Sequence, residues 1–309
     1  MRNAFFDTLV EIAAHDPRIV LMTADLGFGF VDRFATRFPE RFVNVGIAEQ
    51  NLAGVAAGMA LGGKVVFTYS IGNFPTLRCL EQIRNDICYH RASVKVVACG
   101  GGLAYGSLGT SHHATEDLAI MRALPGVVVE APGDAREAAA AVKALVAADG
   151  PAYLRLGRDE RFVHRSSPSY EIGRAIEVRA GRDLTLISTG GMLTTVVEVA
   201  DRLRSEGLAA RVLSMHTVKP LDADAVLAAA RETQAIFTIE EHSLVGGLGS
   251  AVAEVLAESA TRVPFRRFGL PDAYVSVAGS QEFLLARYGL SVDAILASVT
   301  AGVGVPQFR

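Results

Sequence analysis

Short apolar segments rich in β-branched residues alternate with helical segments along the whole chain, and this alternation strongly restricts the possible folds. Near-continuous apolar strands are typical of parallel sheets that helices cover on both faces. The predicted strands are 18–23, 64–69, 94–99, 127–130, 152–156, 184–188, 211–214, 236–240 and 263–268. The predicted helices are an amphipathic N-terminal helix within 1–16 and the segments 48–61, 75–89, 115–123, 134–148, 192–206, 222–230, 249–258 and 280–288. The pattern therefore predicts an α/β protein.

Residues 157–172, with the sequence GRDERFVHRSSPSYEI, interrupt this alternation because they are polar and show no periodicity. Such a segment is typical of a connection between domains. The chain has 309 residues, of which 50% are hydrophobic, and this is enough for two cores. We therefore predict two doubly wound domains with mostly parallel sheets, comprising residues 1–165 and 166–309.

The charge distribution and the cysteines indicate a soluble cytoplasmic protein. The formal net charge of −3 includes no basic block, so neither nucleic acid nor an anionic membrane is an expected partner. No uninterrupted apolar run approaches the roughly 20 residues of a membrane span, and the acids near the N-terminus argue against a signal peptide. Cys79, Cys88 and Cys99 form neither a CxxC pair nor a zinc-binding spacing, so we expect reduced, buried thiols.

The segment VGIAEQN, residues 45–51, connects a short predicted strand to a helix. Glu49 then lies in or near the first helical turn at the carboxyl edge of the sheet, where open α/β folds bind ligands. Alternatively, Glu49 is a helix N-terminal acid that the helix dipole stabilises by about 0.3–1 kcal/mol.

The loop CGGGLAYGSLGTSHH, residues 99–113, combines several glycines with adjacent histidines, His112 and His113. Histidine changes its charge near neutral pH, and a loop of this length is more often functional than idle. The alternatives are a flexible surface loop with solvated histidines and, third, a metal site, for which no acid or cysteine lies at ligand spacing.

The segment EEHSLVGGLG, residues 240–249, follows a predicted strand and opens a helix. A dinucleotide-binding fingerprint would need the spacing GxGxxG and an acid about 20 residues further on, and neither is present. We therefore interpret this segment as a tight strand-to-helix turn.

Several further motifs occur in a characteristic order: VGIAEQN, FTYSIGNF, LEQIRNDI, GTSHHATEDLAIMRALPG, HTVKPLD and TIEEHSLVGGLGSAV. In this order, and over essentially the whole chain, they resemble the transketolase family. The resemblance implies a thiamine-diphosphate pyrimidine-binding domain followed by the transketolase C-terminal domain. It also implies transfer of a two-carbon ketol unit from a ketose or ketose phosphate to an aldehyde acceptor.

The resemblance assigns cofactor contacts to four residues. Glu49 is expected to be catalytic, because an ionised carboxylate on the pyrimidine nitrogen stabilises the tautomer that acts as the base. Phe74 is expected to stack on the pyrimidine, with Ile71 of the same motif also at the cofactor. Asp25 matches an acid near the cofactor across a subunit interface. Core packing is the alternative for Phe74, and a turn position is the alternative for Asp25.

The resemblance also assigns substrate contacts. His112 matches a catalytic histidine near the reacting carbonyl, and His113 is the alternative for this role and a predicted substrate contact. Arg2 and Arg158 match arginines that bind a substrate phosphate, for which the guanidinium group is suited by its paired donors. The alternative is that both arginines are ordinary surface residues.

This sequence departs from the family pattern at three positions. Gly100 stands where the family has a further histidine, and Leu108 stands where it has an acid that contacts a sugar hydroxyl. Gly29 stands where a phosphate-contacting serine is expected. Because a lost hydrogen-bond partner changes substrate discrimination by several kcal/mol, the identity of the donor stays open.

The sequence contains no GDG motif, which in the family begins the diphosphate and Mg²⁺ site. The resemblance therefore implies that a separate N-terminal subunit supplies the Mg²⁺ ligands and that this chain supplies none. We predict a heterotetramer of two such chains and two N-terminal subunits, with active sites at the interfaces.

Other activities share this domain pair. One alternative is the beta subunit of a 2-oxo acid dehydrogenase, which usually carries an HSQ-like motif where this chain has SHH. Another is an enzyme like deoxyxylulose-phosphate synthase, which usually has the diphosphate domain on the same chain. A non-catalytic partner subunit is a third alternative, favoured by the altered loop and disfavoured by the intact VGIAEQN.

Overall fold

Two sheets form the frame of the computed structural model, which describes residues 1–158 and 160–303. The strands of the described residues are β1 (Ile19–Thr23), β2 (Phe42–Asn44), β3 (Val65–Ile71), β4 (Val94–Cys99), β5 (Val128–Glu130), β6 (Ala152–Leu156), β7 (Ile176–Arg179), β8 (Leu184–Ser188), β9 (Ala210–Ser214), β10 (Thr217–Lys219), β11 (Ile236–Ser243) and β12 (Phe265–Leu270). The helices are α1 (Arg2–Ala13), α2 (Asp32–Arg37), α3 (Glu49–Leu61), α4 (Leu80–Gln82), α5 (Asp117–Ala123), α6 (Ala135–Ala147), α7 (Met192–Ser205), α8 (Ala223–Glu232), α9 (Leu248–Ala257), α10 (Gln281–Arg287) and α11 (Val292–Val303).

The first sheet has the strand order β10-β5-β6-β4-β3-β1-β2 and is parallel except at the β10–β5 pair. Helices α1 and α6 cover one face, where a cluster of Phe, Leu and Val side chains is fully buried. Helices α3 and α5 cover the other face over a separate buried cluster. Burial on both faces explains the near-continuous apolar strands.

The second sheet has the order β12-β11-β8-β9-β7 and is parallel except at the β7–β9 pair. Helices α7, α10 and α11 pack on one face, and α8 and α9 pack on the other. The prediction of two doubly wound domains with mostly parallel sheets is therefore confirmed.

The predicted helix over 75–89 is not a regular helix. It consists of a 3₁₀ turn (Leu77–Cys79), the short α4 and a π-helix (Ile83–Cys88). Two short strands, β7 and β10, and the helices α2 and α11 were not predicted. β10 comes from the sequence of the second domain and yet pairs with β5 of the first sheet, with Thr217 opposite Glu130.

The predicted linker is tied to the first domain. Asp134, the N-cap of α6, accepts hydrogen bonds from the backbone N–H groups of Val163 and His164 at 2.8 and 2.9 Å. The Nε2 atom of His164 also lies 2.7 Å from the Glu137 carboxylate. Two acids at the start of one helix and a histidine of the segment itself therefore hold this irregular segment in place.

The cysteines are free and buried, as predicted. Burial raises the pKa of the Cys79 thiol to about 12 and that of the Cys88 thiol to about 11. These thiols are therefore protonated and unreactive at neutral pH.

One segment, Gln281–Ala301, is long and apolar enough to span a membrane by length and hydropathy. It is not one continuous helix, because α10 ends at Arg287, α11 begins at Val292, and Gly289 between them has a φ of 74°. Leu284 and Ile295 from the two helices are buried in the core of the second domain.

Candidate active site

The carboxylate of Glu49 lies at the N-terminus of α3, where the turn after β2 brings it to the carboxyl edge of the first sheet. Its side chain is only 2% exposed. The Oε2 atom accepts a hydrogen bond from Nη1 of Arg78 at 2.8 Å. The other oxygen, Oε1, accepts no hydrogen bond from the described residues, so an acceptor is available for a ligand.

Phe74 lies beside this carboxylate, in the loop after β3, which ends at Ile71. The guanidinium of Arg78 lies over the Phe74 ring at 4.3 Å from the centroid, and the rings of His112 and Phe74 meet in an edge arrangement with their centroids 5.2 Å apart. A Cβ at Gly72, which has a φ of 41°, would lie 3.3 Å from the His112 carbonyl oxygen. Glycine at position 72 therefore allows the histidine loop to lie close to the loop after β3.

The two histidines differ in environment. His112 is half-buried, and its Nδ1 lies 3.0 Å from the hydroxyl of Ser111. His113 is buried, and this burial lowers the pKa of its imidazole. The backbone carbonyl of His113 accepts a hydrogen bond from the Asn73 amide. His112 is therefore the more accessible of the pair, beside Phe74.

Asp25 follows β1 and is held in the left-handed region, with a φ of 55°. The Asn44 side chain accepts a hydrogen bond from the Asp25 N–H at 2.9 Å and donates one to the Asp25 carboxylate at 3.1 Å. The same Asn44 oxygen accepts from the N–H of Gly46 at 3.0 Å. Asp25 is thus a turn residue, linked through Asn44 to the turn that precedes Glu49.

Arg2 and Arg158, which are far apart in sequence, line one cavity of about 490 Å³ together with Arg161. Ser107 and Ser280 also line it, and no acid does among the described residues. The Nε atom of Arg2 is buried without a hydrogen-bond partner in the described chain. This cavity has the positive charge and the donors that a dianionic group needs.

Three residues that connect the predicted site residues were not predicted from the sequence. Arg78, Asn44 and Arg161 are polar residues without a distinguishing motif, and their roles come from neighbours in space. In residues 1–158 and 160–303, no group of three or more His, Cys, Asp or Glu side chains could hold a metal ion.

The pyrimidine of thiamine diphosphate is compatible with this arrangement. A buried carboxylate with one available oxygen lies beside an aromatic ring, and these are the groups that a flat, protonated heterocycle requires. Arg78 contacts both Glu49 and Phe74 and lies over one face of the ring.

Comparisons with known proteins identify the family of the chain. The transketolase pyrimidine-binding domain family matches residues 1–161, and the transketolase C-terminal domain family matches residues 173–295. A subunit of the apulose-4-phosphate transketolase of Phocaeicola vulgatus is 40% identical over 95% of this chain and 94% of its own length. The SqwH subunit of the 6-deoxy-6-sulfo-D-fructose transketolase of Clostridium sp. is 39% identical over 96% of this chain and 92% of its own.

A solved structure described as a split gene transketolase, inactive beta4 tetramer, has a TM-score of 0.87 and 42% identity to this chain. The match covers 97% of this chain and 96% of that one. Both domains, their order and nearly the full length of these relatives are therefore present here. The chain belongs to the transketolase family, as a C-terminal subunit that carries the pyrimidine-binding and C-terminal domains.

Proposed function

We propose that this subunit forms a thiamine-diphosphate-dependent ketol transferase that is active only with a separate N-terminal subunit. The observation that supports the proposal most strongly is the buried Glu49 carboxylate, with one available oxygen beside the Phe74 ring. Family membership supports the cofactor, and the absence of a GDG motif supports a partner that supplies the Mg²⁺ ligands. The proposed assembly is a heterotetramer of two such chains and two N-terminal subunits.

Each residue has a distinct task in this proposal. When bound, thiamine diphosphate supplies the nucleophilic carbon that attacks the donor carbonyl. Glu49 accepts a hydrogen bond from the pyrimidine nitrogen and holds the required tautomer. Phe74 and Ile71 provide the apolar contact to the cofactor, and Asp25 lies close to the cofactor across the interface with the partner. His112 moves a proton to or from the substrate oxygens, and His113 contacts the substrate.

The surface beside Glu49 supports a partner at this edge. Ile47, two residues before Glu49, is 80% exposed, and Leu77, next to Arg78, is 40% exposed. Large apolar side chains around a polar site are typical of a surface that another protein covers. The related structure described as an inactive beta4 tetramer agrees with a need for a second kind of subunit.

The donor in this proposal is a ketose with an anionic end group. The cavity of Arg2, Arg158 and Arg161 would bind this group. Two relatives at about 40% identity carry the names of a sugar phosphate and a sulfo sugar, which both have an anionic group.

The cofactor requirement is tested by titration calorimetry with thiamine diphosphate and Mg²⁺, using this chain alone and then mixed with the N-terminal subunit. Binding only in the mixture would support the proposal. Tight binding to the lone chain would contradict the divided site, and no binding to a verified complex would favour a non-catalytic subunit.

The substrate class is tested by product analysis with ketose phosphates, sulfo ketoses, free ketoses and 2-oxo acids. We expect Arg2→Met combined with Arg158→Met to raise KM for the anionic ketose about tenfold or more, with little change for a neutral ketose. Arg165→Met is the matched control, since this exposed arginine lies outside the cavity. Turnover of 2-oxo acids in place of ketoses would contradict the proposal.

A further inference from the structure

The loop that carries both histidines is closed at its base by two backbone hydrogen bonds. The N–H of Gly102 donates to the Ala114 carbonyl at 2.8 Å, and the N–H of Ala114 donates to the Gly102 carbonyl at 2.9 Å. Residues 103–113 project from this base and contain two 3₁₀ turns. The position of His112 therefore depends on what fixes this base.

Arg155 fixes the C-terminal side of the base from strand β6. Its Nη2 atom donates to the Ala114 carbonyl at 2.7 Å and to the Glu241 carbonyl at 2.9 Å. Its Nε atom donates to the Asp117 carboxylate at 2.9 Å, which also accepts from the Tyr153 hydroxyl at 2.5 Å. The guanidinium is buried, so these contacts hold it in one geometry.

Glu241, on β11 of the second domain, fixes the N-terminal side. Its Oε1 atom accepts a hydrogen bond from the backbone N–H of Leu103 at 2.7 Å, and the Gln281 amide donates to both carboxylate oxygens at 3.0 and 2.9 Å. A Cβ at Gly102 would lie 2.5 Å from the Glu241 Cγ atom, so the approach requires glycine. Each side of the base is thus held by a buried charged side chain, and one of these comes from the second domain.

The charges of Arg155 and Glu241 couple the two sides of the loop base. Burial raises the pKa of the Glu241 carboxyl, and the nearby Arg155 cation opposes this shift. A buried charge is tolerated when its hydrogen bonds are made by fixed partners, so the loss of one member weakens the others.

We propose that Arg155 and Glu241 are positioning residues, through which the second domain sets the place of His112 beside the Glu49 site. Neither residue belongs to the cofactor and substrate contacts described above; both act through the backbone of the loop. The effect on turnover rests on the proposed function, whereas the effect on the loop does not.

The test compares Glu241→Ala with Glu240→Ala. Glu240 precedes Glu241 on the same strand and is equally buried, but its carboxylate accepts from the N–H groups of Leu248 and Gly249 at the start of α9. Glu240 forms no hydrogen bond to the loop among the described residues. It is therefore a matched control for the loss of a buried carboxylate.

The first readout is hydrogen–deuterium exchange of the chain alone. We expect exchange over residues 103–114 to accelerate about tenfold or more in Glu241→Ala and to be unchanged in Glu240→Ala. Glu241→Gln, which keeps an acceptor oxygen, should restore most of the protection and serves as the second variant if Glu241→Ala does not fold. Equal exchange in the variants of both positions would overturn the proposal.

The second readout is steady-state kinetics of the complex with the N-terminal subunit. We expect Glu241→Ala to lower kcat about tenfold or more, with the Kd of thiamine diphosphate within about twofold of wild type. Glu240→Ala should leave kcat within about twofold. A wild-type complex without ketol transfer would refute the proposed function, and the exchange measurement would still decide the positioning role. In a complex that is active, unchanged kcat in Glu241→Ala would overturn the positioning role.

Discussion

The two halves of the candidate site are built differently. The half around Glu49 is open: one carboxylate oxygen lacks a partner in the described chain, and Arg78, which pairs with the other oxygen, is 46% exposed. The half around the histidine loop is closed, with Arg155 and Glu241 buried and bonded to fixed groups. The closed half is therefore preorganised, and the open half is the side on which we expect the cofactor and the partner subunit to bind.

The largest expected effect comes from breaking the closed half. We expect Arg155→Met to lower the free energy of unfolding by about 3–5 kcal/mol, because it leaves Asp117 as an uncompensated buried charge. Urea unfolding of the chain measures this. The control is Arg174→Met, since Arg174 forms surface ion pairs and its loss should leave the midpoint nearly unchanged. Equal effects of the two substitutions would show that the closed half is not held by Arg155.

The next effect concerns the open half. We expect Glu49→Gln to keep the fold and to lower kcat of the reconstituted complex about 100-fold or more, because an amide does not hold the pyrimidine tautomer as an ionised carboxylate does. Proton exchange at the thiazolium carbon, followed by NMR, identifies the affected step. An exchange rate equal to that of wild type would contradict the role of Glu49.

A smaller effect is expected from Arg78. Because Arg78 covers Phe74 and pairs with Glu49, Arg78→Leu should free the site and lower the Kd of thiamine diphosphate about fivefold. This corresponds to the loss of a competing, partly exposed ion pair worth up to about 1 kcal/mol. Arg84→Leu, on the same segment and exposed, is the control. Weaker binding in Arg78→Leu would mean that Arg78 helps to hold the cofactor.

The smallest effect is a pH dependence of the closed half. Burial lowers the pKa of His113 below its ordinary value of 6.5, so the folded state binds fewer protons than the unfolded state. The stability that neutral His113 contributes is fully present above pH 6.5. It is lost as the pH falls from 6.5 toward the lower pKa of the folded state. The difference in unfolding free energy between pH 7.5 and 5.5 should shrink in His113→Asn, but not in His90→Asn. If the unfolding free energies of the two variants depend equally on pH, His113 is not the cause of the dependence.

The sequence predicted the central strands well because their apolar runs are buried on both faces, as in β3 and β4. It missed β7 and β10, which are short edge strands with polar residues, and the π-helix, which has no simple periodicity. Glu49, Phe74 and His112 were found through motifs, and the structure places them together. Their roles in catalysis stay predictions.

The residues that hold the site together could not be predicted from the sequence, and the reason is physical. The pairing of Arg78 with Glu49 spans 29 residues, and that of Glu241 with Leu103 spans 138. Neither spacing belongs to a helix or hairpin, so only the folded topology creates the contact. The segment EEHSLVGGLG was correctly interpreted as a strand-to-helix turn, but its second acid has a further contact that the motif does not reveal.

The strand β10 affects how the first sheet is completed during synthesis and how the chain can be truncated. The first sheet lacks its last edge strand until Lys219 has been synthesised, well after β6 ends at Leu156. A fragment that stops at residue 165 would present the bare edge of β5, and unpaired edges are templates for aggregation. We therefore expect that a cut between the two domains leaves the first sheet with an unpaired edge, because the strand that covers this edge comes from the sequence of the second domain.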